Sequence, residues 1–370
     1  MKNILYIASH RADRAPGQRF RFEQYFEYLG QNGYHCELSY YISERDDKYL
    51  YLKGYYIHKL IILIKAVLRR LKDLRRAGNY DVLFIHREAF LLGSTYFERR
   101  FRKSKARMIF DFDDSIFLPD TSDANIRLKW LKNPAKTEKL IAMSDMVFAG
   151  NAYLAGYASR FNVNVKIVPT TINTAEMHRI AGMQKNGKPV CIGWTGSMTT
   201  IKHFELAVPV LTKIKEKYGK AVTIKVIGDK NYENKELQIK GVAWQRENEI
   251  EELSEFDIGI MPLPDDEWSK GKCALKGLEY MALEIPPVMS RVGVNTEIVA
   301  DGVNGFLAEG EAEWMRKLEL LIESAELRRQ MGREALKTVR QKYSTDAMKG
   351  VYLDYLNSLF ATDVPPQKRQ

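Results

Sequence analysis

Residues 257–305 decide the fold, and they read DIGIMPLPDDEWSKGKCALKGLEYMALEIPPVMSRVGVNTEIVADGVNG. The apolar run from Ile258 to Leu263 predicts a buried strand, which two prolines break into an acidic, aromatic loop. The loop ends at Gly271, and a helix is predicted to follow over residues 272–283. A strand, a loop and a helix in this order form the repeating unit of an α/β protein with a parallel sheet.

The start of this predicted helix has the features of an anion site. Lys272, Lys276 and Glu279 stand at i, i+4 and i+7, so they share one face of the helix. Free N–H groups and the positive end of the dipole attract an anion at a helix start, and the lysines add charge. A carboxylate two turns further on suits the hydroxyls of a ribose. The pattern predicts a nucleotide-sugar pocket formed by Gly271, Lys272, Cys273, Lys276 and Glu279. The alternative is an amphipathic helix whose Lys276–Glu279 surface pair contributes only about 0.2–0.5 kcal/mol.

A second loop of similar character is GWTGSMTTIKHF, residues 193–204. Gly196, Ser197, Thr199 and Lys202 are predicted to lie between the end of a strand and the start of a helix. Backbone N–H groups, hydroxyls and an ammonium group can meet a diphosphate in that geometry. An ordinary helix cap made by Ser or Thr is the alternative interpretation.

Strands alternate with helices along the whole chain, in two successive sets. Strands are predicted over 2–9, 34–41, 80–86, 106–113, 146–150 and 165–170, and then over 189–196, 221–228, 257–263 and 286–290. Helices are predicted near 90–103, 132–143, 151–160, 202–217, 247–254, 272–283 and 311–342. This alternation predicts two doubly wound parallel sheets, in domains covering 1–171 and 172–344. A last helix over 345–360 is expected to pack back on the first domain, and the tail 365–370 is expected to be disordered.

The segment LEYMA at 278–282 carries a resemblance to a known family. It resembles the second motif glutamate of family 4 (group 1) retaining glycosyltransferases, with Glu279 in the place of that residue. The resemblance implies the GT-B fold, in which two Rossmann-like domains face each other across a cleft. The family's first glutamate would fall at Gly271; either an acid of the preceding loop (Asp265, Asp266 or Glu267) replaces it, or the sugar is bound differently. Lys202 matches a family lysine, whereas Trp194 stands where the family usually has an arginine.

In the first half, the resemblance assigns residues to the sugar and to the acceptor. Gly17, in PGQRFRF, precedes a helix as glycines do in the first loop of these enzymes, and Arg19 and Arg21 follow it as candidates to address a phosphate of the donor or the acceptor. His86 ends the strand YDVLFIH and resembles a family histidine that faces the donor sugar. The acceptor side would include Gly17, Arg19, Asp113 and Asp114. Solvated arginines and a structural histidine are the alternatives.

A rival interpretation comes from MIFDFDDSIF, residues 108–117. An apolar strand followed by Asp111 and Asp113 resembles the nucleophile motif of haloacid-dehalogenase-type phosphatases, which work with Mg²⁺. The motif lies in the middle of the chain, however, and it leaves residues 257–305 unexplained. A catalytically inactive nucleotide-sugar binder is a third class, because Gly271 replaces a motif acid. A Rossmann dehydrogenase is disfavoured, since no G-x-G-x-x-G follows a strand.

The composition limits the number of domains and the cellular compartment that we expect. A chain of 370 residues that is 45% apolar can bury two cores. The three cysteines are an odd number without paired spacing, which favours a reducing compartment and argues against a structural zinc site. The first apolar run is too short for a signal peptide, and no run reaches the length of a membrane span. We therefore expect a cytoplasmic protein.

The positive charge is concentrated in the first half. Residues 1–185 hold 31 Lys and Arg against 19 Asp and Glu, a net +12, whereas residues 186–370 hold 26 against 28, a net −2. Residues 55–76 place seven apolar side chains along a helical stripe, flanked by seven basic ones and a single acid, Asp73. The stripe comprises Ile57, Leu60, Ile61, Ile64, Val67, Leu68 and Leu71. Such a helix suits an anionic membrane surface. A core-packed helix with a solvated basic face is the alternative. Nucleic acid is not expected, because no nucleic-acid-binding signature is present.

Together with these patterns, the resemblance implies a retaining, metal-independent hexosyltransferase with no cofactor. Its donor would be a nucleoside-diphosphate sugar, UDP- or GDP-linked, and its acceptor a glycan or a lipid-linked sugar. The resemblance implies that the diphosphate departs from the front face without a dedicated base, so stabilisation of its charge dominates catalysis. His86, Lys202 and Lys276 are the predicted catalytic residues. The expected setting is bacterial surface polysaccharide or lipopolysaccharide synthesis, peripherally at the inner membrane face.

Overall fold

The computed structural model describes residues 1–50, 52, 54–119, 133–177 and 189–361. The chain forms two compact units. Unit 1 comprises Met1–Pro169 with Lys349–Gln370, and unit 2 comprises Thr170–Met348. The start of the helix expected from residue 132 and the tail 365–370 lie outside the described residues.

Unit 1 alternates strands and helices. Its strands are β1 (Lys2–Ile7), β2 (Tyr34–Ser39), β3 (Val82–His86), β4 (Arg107–Phe112), β5 (Met146–Ala149) and β6 (Val165–Ile167). Its helices are α1 (Pro16–Arg19), α2 (Phe26–Gln31), α3 (Glu44–Leu50), α4 (Tyr56–Arg76), α5 (Tyr96–Phe101), α6 (Lys136–Met143) and α7 (Ala152–Ala158). Within the described residues the six strands form one parallel sheet in the order β2-β1-β3-β4-β5-β6. The near-continuous apolar character of these strands is typical of a sheet covered on both faces.

Unit 2 repeats the pattern. Its strands are β7 (Val190–Thr195), β8 (Val222–Ile227), β9 (Glu233–Asn234), β10 (Ile239–Lys240), β11 (Ile258–Met261), β12 (Pro287–Ser290) and β13 (Phe306–Ala308). Its helices are α8 (Ile201–Glu205), α9 (Val208–Tyr218), α10 (Glu249–Ser254), α11 (Glu267–Lys270), α12 (Leu275–Ala282), α13 (Asn295–Ile298), α14 (Gly310–Glu323) and α15 (Ala325–Thr338). In the described part, five strands form a parallel sheet in the order β13-β12-β11-β7-β8, and β9 and β10 form a short hairpin.

The last helix, α16 (Thr345–Ser358), begins in unit 2 and ends in unit 1. The ring of its buried Tyr352 stacks on Tyr25 with centroids 4.5 Å apart and meets Phe148 edge-on at 5.3 Å. These contacts place α16 in the aromatic core of unit 1, where Tyr6 also packs on Phe22 and Phe84.

The predicted fold class, α/β with two parallel sheets, is confirmed. Several helices differ from their predicted bounds. The helix predicted over 202–217 is two helices, α8 and α9, and Pro209 stands in the first turn of the second, where its missing N–H costs nothing. The helix predicted from Lys272 starts three residues later, at Leu275.

Helix α4 turns its apolar stripe outward. Ile57, Leu60, Ile61, Ile64 and Leu68 are between 44% and 74% exposed, whereas the buried positions are Ile62, Ala66, Arg70 and Asp73. The core-packed alternative for the stripe is therefore wrong. The face that packs against the unit is small and partly charged.

Candidate functional site

Both sheets reverse their strand order at one point, and the predicted site residues gather there. In unit 1 the chain leaves β1 for β2 on one side and then returns to β3 on the other. In unit 2 it leaves β7 for β8 and returns to β11 on the opposite side. Loops at the carboxyl ends of strands diverge at such a switch point and leave room for a ligand. Each unit thus carries one candidate site.

The centre of the unit 1 site is a buried group of three charged or polar side chains. His86 Nδ1 lies 2.7 Å from Asp111 Oδ2, across the register of β3 and β4. Arg21 forms an ion pair with the same carboxylate, and its Nη1 donates to the carbonyl of Val168. The side chains of Arg21 and Asp111 are 0% and 1% exposed. This arrangement fixes the imidazole ring and leaves its Nε2 as the atom directed at the loop after β1.

Electrostatics keep Asp111 ionised. Burial by itself would raise the pKa of this carboxyl, but the charge of Arg21 and the hydrogen bond with His86 outweigh burial and hold the pKa below its usual range. With both oxygens bonded and almost no exposure, Asp111 is unsuited to attack a phosphorus atom. The geometry thus disfavours the phosphatase interpretation. It also corrects the expectation that Arg21 addresses a ligand phosphate, because that guanidinium is committed inside the unit.

Gly17 approaches this group closely. A Cβ on Gly17 would lie 3.1 Å from Asp113 Oδ2, 3.3 Å from Arg87 Nη2 and 3.5 Å from His86 Nε2. Asp113 accepts a 2.7 Å hydrogen bond from Arg87 Nε, and this cation holds the pKa of Asp113 well below its usual range against the effect of burial. A side chain at position 17 would therefore crowd Asp113 and Arg87. The structure brings Gly17, His86 and Asp113 together.

Asp114, another acceptor-side candidate, lies at the edge of this group. Asp114 is 15% exposed, and its Oδ2 is 3.8 Å from Arg87 Nη2. Arg19 is buried, with its guanidinium carbon 4.3 Å from the centre of the Phe20 ring, so it is not a solvated helix-start arginine. Arg87 itself has a φ of 60°, an uncommon conformation for a side chain of this size, directly after His86. Backbone strain of this kind is concentrated at functional sites.

In unit 2, the loop between β7 and α8 is a tight turn held by its own hydroxyl groups. Ser197 N donates to Thr200 Oγ1 at 2.9 Å, and the Ser197 and Thr199 hydroxyls are 2.9 Å apart. Gly196 N donates to the carbonyl of Ile227 at the end of β8. Ser197, Thr199 and Lys202 are exposed. The loop thus presents hydroxyl groups and an ammonium group at the end of the central strand.

Trp194 forms the floor beneath this loop. The ring is 1% exposed, and a Cβ on Gly196 would lie 2.2 Å from it, so only glycine fits there. Lys276 Nζ is 5.6 Å from the centre of the same ring, a cation–π contact that positions the ammonium from α12 over the end of β7. The resembled family has an arginine at the position of Trp194. In this chain the Trp194 ring instead holds Lys276, which comes from α12.

Three lysines surround a buried histidine that the sequence analysis did not single out. His203, in α8, is 5% exposed, and its Nδ1 has no hydrogen-bond partner among the described residues. Burial, together with the positive charges of Lys276, Lys272 and Lys202, lowers the pKa of His203 to about 4, while Asp266 acts weakly in the other direction. The lysines that the sequence predicted for two separate segments of the anion site therefore act on the same imidazole, that of His203. A positive cluster around an unpaired polar atom suits an anion.

The start of α12 has an unexpected conformation. Ala274, the residue that precedes the helix, has a φ of 53°, and no side chain caps the first turn. Lys272 and Cys273 lie in the preceding segment, so Lys272 does not share a helix face with Lys276 and Glu279 as predicted. Lys272 Nζ instead lies 5.3 Å from the ring of Trp268. The uncapped N–H groups of α12 still follow the carboxyl end of β11, as do Lys272 and Lys276.

Glu279 and its neighbours tie α12 to the sheet. Glu279 is 5% exposed, and the adjacent Tyr280 hydroxyl accepts a 2.9 Å hydrogen bond from Thr195 N at the end of β7. At the position of the missing motif acid, Gly271 ends the single-turn helix α11. Of the three replacement candidates, Glu267 pairs with Lys270 on the surface.

The other two replacement candidates remain at the loop. Asp266 accepts from Ser269 N at 2.7 Å as the cap of α11, and its charge reaches His203. Asp265 is exposed. Of the three replacement candidates, Asp266 is thus the one whose charge acts on the same histidine as the three lysines. No group of three or more His, Cys, Asp or Glu side chains in the described ranges is arranged to hold a metal ion.

Comparisons with known proteins agree with this architecture. Residues 189–324 match the family model described as Glycosyl transferases group 1. No curated protein sequence matches the chain. Among solved structures, sucrose-phosphate synthase from Thermosynechococcus elongatus is similar with a TM-score of 0.72 at 12% identity, covering 98% of this chain and 100% of that one.

Two further structures are similar over nearly the whole chain. Anabaena HepE, solved in complex with UDP and glucose, has a TM-score of 0.65 at 13% identity and covers 97% of this chain and 100% of its own. The catalytic domain of starch synthase IV from Arabidopsis thaliana, bound to ADP and acarbose, has a TM-score of 0.66 at 12% identity, with 97% and 99% covered. The fold is therefore GT-B, and the match to the group 1 glycosyltransferase model lies within unit 2.

Proposed function

We propose that this chain is a retaining glycosyltransferase of family 4 that moves a sugar from a nucleoside-diphosphate donor to a glycan or lipid-linked acceptor. The observation that carries the proposal is the convergence of Lys202, Lys272 and Lys276 on His203, within the segment that matches group 1 glycosyltransferases. A diphosphate leaving group needs positive charge that is already in place when the glycosidic bond breaks. Three ammonium groups and the uncapped start of α12 supply that charge.

The roles of the remaining residues follow from their positions in each unit. The hydroxyl groups of Ser197 and Thr199 form the rim of the diphosphate site, while the N–H of Gly196 is bonded to the carbonyl of Ile227. The backbone at Gly271 and Cys273 leads into the uncapped helix start. The carboxylate of Glu279 is assigned to the ribose of the donor.

The unit 1 group is assigned to the sugar and the acceptor. Because Nδ1 of His86 is bonded to Asp111, its Nε2 is left to contact a sugar hydroxyl. Asp113 and Asp114 offer carboxylate oxygens to the hydroxyl groups of an acceptor, and Gly17 keeps the space above them open. These residues bind and orient, and no dedicated base is required in a front-face displacement.

The relatives support the class of donor. HepE was solved with UDP and with UDP-glucose, and starch synthase IV with ADP. We propose a UDP- or GDP-linked hexose for this chain, with transfer that needs no metal ion and no cofactor. The proposed setting is bacterial surface polysaccharide or lipopolysaccharide synthesis on the cytoplasmic side of the inner membrane.

The test is depletion of donor in a panel of UDP-, GDP- and ADP-sugars, with and without EDTA, in the presence of lipid and glycan acceptors. Turnover of one donor that persists in EDTA, with the anomeric configuration retained in the product by NMR, is the expected result. Lys276→Ala should reduce turnover at least about tenfold, since it removes one charged contact with the leaving group. Lys213→Ala is the matched control, because Lys213 pairs with Glu311 on the surface of the same unit.

Two outcomes would contradict the proposal. Strict Mg²⁺ dependence with release of phosphate from a monoester would favour the phosphatase interpretation. Tight binding of a nucleotide sugar without turnover, for every acceptor in the panel, would identify an inactive binder. The replacement of the first motif glutamate by Gly271 is the observation that favours this second candidate.

A further inference from the structure

Helix α4 is amphipathic in the reverse of the usual sense. On an ordinary surface helix the apolar side faces the core and the charged side faces water. Here the side chains that face the core include Arg70 and Asp73, both 0% exposed. The outward face carries six large aliphatic side chains that are 37% to 74% exposed: Ile57, Leu60, Ile61, Ile64, Leu68 and Leu71. At 3.6 residues per turn these six lie within a sector of roughly 100°, opposite the buried positions.

The rotation of the helix is fixed by buried polar contacts. The Arg70 guanidinium donates to the carbonyls of Ala8 and Ala89, each at 2.6 Å, and to Asp73 Oδ2 at 2.8 Å. Asp73 also accepts from Ser39 Oγ at 2.5 Å. Turning the stripe inward would break these bonds and leave buried charges without partners, which is strongly unfavourable. The buried bonds of Arg70 and Asp73 therefore hold the apolar stripe of α4 on the outer surface of unit 1.

Basic side chains line one edge of the stripe. Lys65, Arg69 and Lys72 follow each other along this edge, and Arg75 closes the stripe at its carboxyl end. In the adjacent α3, Asp46 pairs with Lys65 and offsets its charge, and Asp47 is paired with Arg11 and Arg14, so Arg69, Lys72 and Arg75 are the cations of this edge outside these pairs. Beyond the helix, a shallow groove continues the positive surface with Arg100, Lys103 and Lys105.

We propose that this face of α4 docks on an anionic lipid bilayer, with the aliphatic stripe in the boundary between headgroups and acyl chains. A helix that lies in the membrane plane needs a continuous apolar face flanked by cations, and α4 presents both. The stripe lacks the aromatic residues that dominate protein–protein hot spots. The exposed rings of Tyr55 and Tyr56 stand at the amino end of the helix, where tyrosine suits the interfacial region. None of the helices in the described ranges combines the length and the apolar character that a bilayer crossing requires.

Vesicle flotation of the full-length protein tests this proposal without any sugar substrate, so its result is independent of glycosyl transfer. Binding to vesicles of phosphatidylcholine with phosphatidylglycerol should exceed binding to phosphatidylcholine alone by about tenfold, and high salt should reduce the difference. Ile64→Ser combined with Leu68→Ser should weaken binding to the anionic vesicles at least about tenfold. Lys72→Gln combined with Arg75→Gln should abolish most of the preference for the anionic lipid.

The matched control removes exposed aliphatic side chains elsewhere on unit 1. Val163 and Ile167 are 105% and 47% exposed, and their replacement by serine should leave vesicle binding unchanged. Far-UV circular dichroism identifies any variant that fails to fold. Equal binding of the stripe variant and the unchanged protein would overturn the proposal, as would an absence of binding to anionic vesicles. A concentration-dependent dimer that the stripe variant abolishes, with vesicle binding unaffected, would assign the face to a second copy of the chain instead.

Discussion

The lysine cluster of unit 2 should make this unit acid-sensitive through a single side chain. His203 has a pKa of about 4 in the folded protein, because it is buried and faces Lys276, Lys272 and Lys202. In the unfolded chain its pKa returns to about 6.5. Between these two values the unfolded state binds the proton and the folded state does not, so stability is lost as the pH falls below 6.5. Above pH 6.5 the effect is absent.

The size of the effect follows from the two pKa values. A pH of 5 is about 1.5 units below the pKa of the unfolded chain, so protonation of the unfolded state lowers the free energy of unfolding by about 2 kcal/mol, at 1.36 kcal/mol per unit. With a urea dependence of about 2 kcal/mol per molar for a unit of this size, the midpoint should fall by about 1 M between pH 7.5 and pH 5. His203→Gln removes the titrating group and should lack this part of the shift.

Tryptophan fluorescence is the appropriate signal for the urea titrations. Four of the five tryptophans, at positions 194, 244, 268 and 314, belong to unit 2, so the signal reports the unfolding of the unit that contains His203. His35→Gln is the control, because His35 is exposed in unit 1 and its variant should keep the full pH dependence. A nucleotide sugar at saturating concentration should reduce the loss at pH 5, since its diphosphate offsets the charge of the lysines.

The refuting result is a pH dependence that is the same in His203→Gln and in the unchanged protein. That outcome would show that the lysines do not crowd the imidazole, and the proposed diphosphate site would lose its main support. A loss that begins above pH 7 in both proteins would point to a different titrating group.

Three further predictions concern the other site residues. Asp111→Asn leaves the buried Arg21 without a counter-charge and should lower the stability of unit 1 by about 3–5 kcal/mol, measured by urea unfolding with circular dichroism; a change below about 1 kcal/mol would contradict the buried ion pair. Gly17→Val should reduce turnover at least about tenfold while nucleotide affinity stays constant, because the added carbons would meet the Asp113 carboxylate. Gly30→Val is its control, as nothing lies within 4 Å of a Cβ there. Glu279→Ala should weaken nucleotide binding about tenfold in calorimetry, the loss of one charged hydrogen bond, and an unchanged affinity would remove it from the site.

The sheets were predictable from the sequence because their signals are local. Runs such as Ile4 to Ile7 and Ile258 to Met261 are apolar on both faces, and only a strand covered on both sides buries such a run. The short strand β13 and the hairpin of β9 and β10 were missed, since two or three residues carry no periodicity. The alternation of elements was sufficient for the fold class.

The candidate sites were predictable only in part. Residues at the carboxyl ends of strands, such as His86 and Lys202, could be selected because topology assigns ligands to those ends. The left-handed conformations of Arg87 and Ala274 depend on tertiary contacts, and neither residue type signals them. His203 was missed because a lone histidine in a short helix carries no signal until Lys272 and Lys276, from a distant part of the sequence, are placed near it.

The orientation of α4 shows why a pattern alone was insufficient. Its sequence contains an apolar stripe and several cations, and both a core-facing and an outward stripe are compatible with that pattern. The decision rests on Arg70, whose partners at Ala8 and Ala89 come from outside the helix. Such partners become known only when the strands that carry them are in place.

The return of the last helix to the first unit has a consequence for synthesis on the ribosome. Tyr352 and Leu356, both fully enclosed, complete the aromatic interior that begins with Tyr25 and Phe148. The intervening 170–348 take about 10–40 s to translate at roughly 5–20 residues per second. Throughout that interval unit 1 exposes aromatic rings that α16 will later cover. Unit 2 is continuous in sequence and can fold as soon as it emerges. Unit 1, which is synthesised first, therefore completes its folding last. A stop codon before residue 345 would leave its aromatic core permanently incomplete.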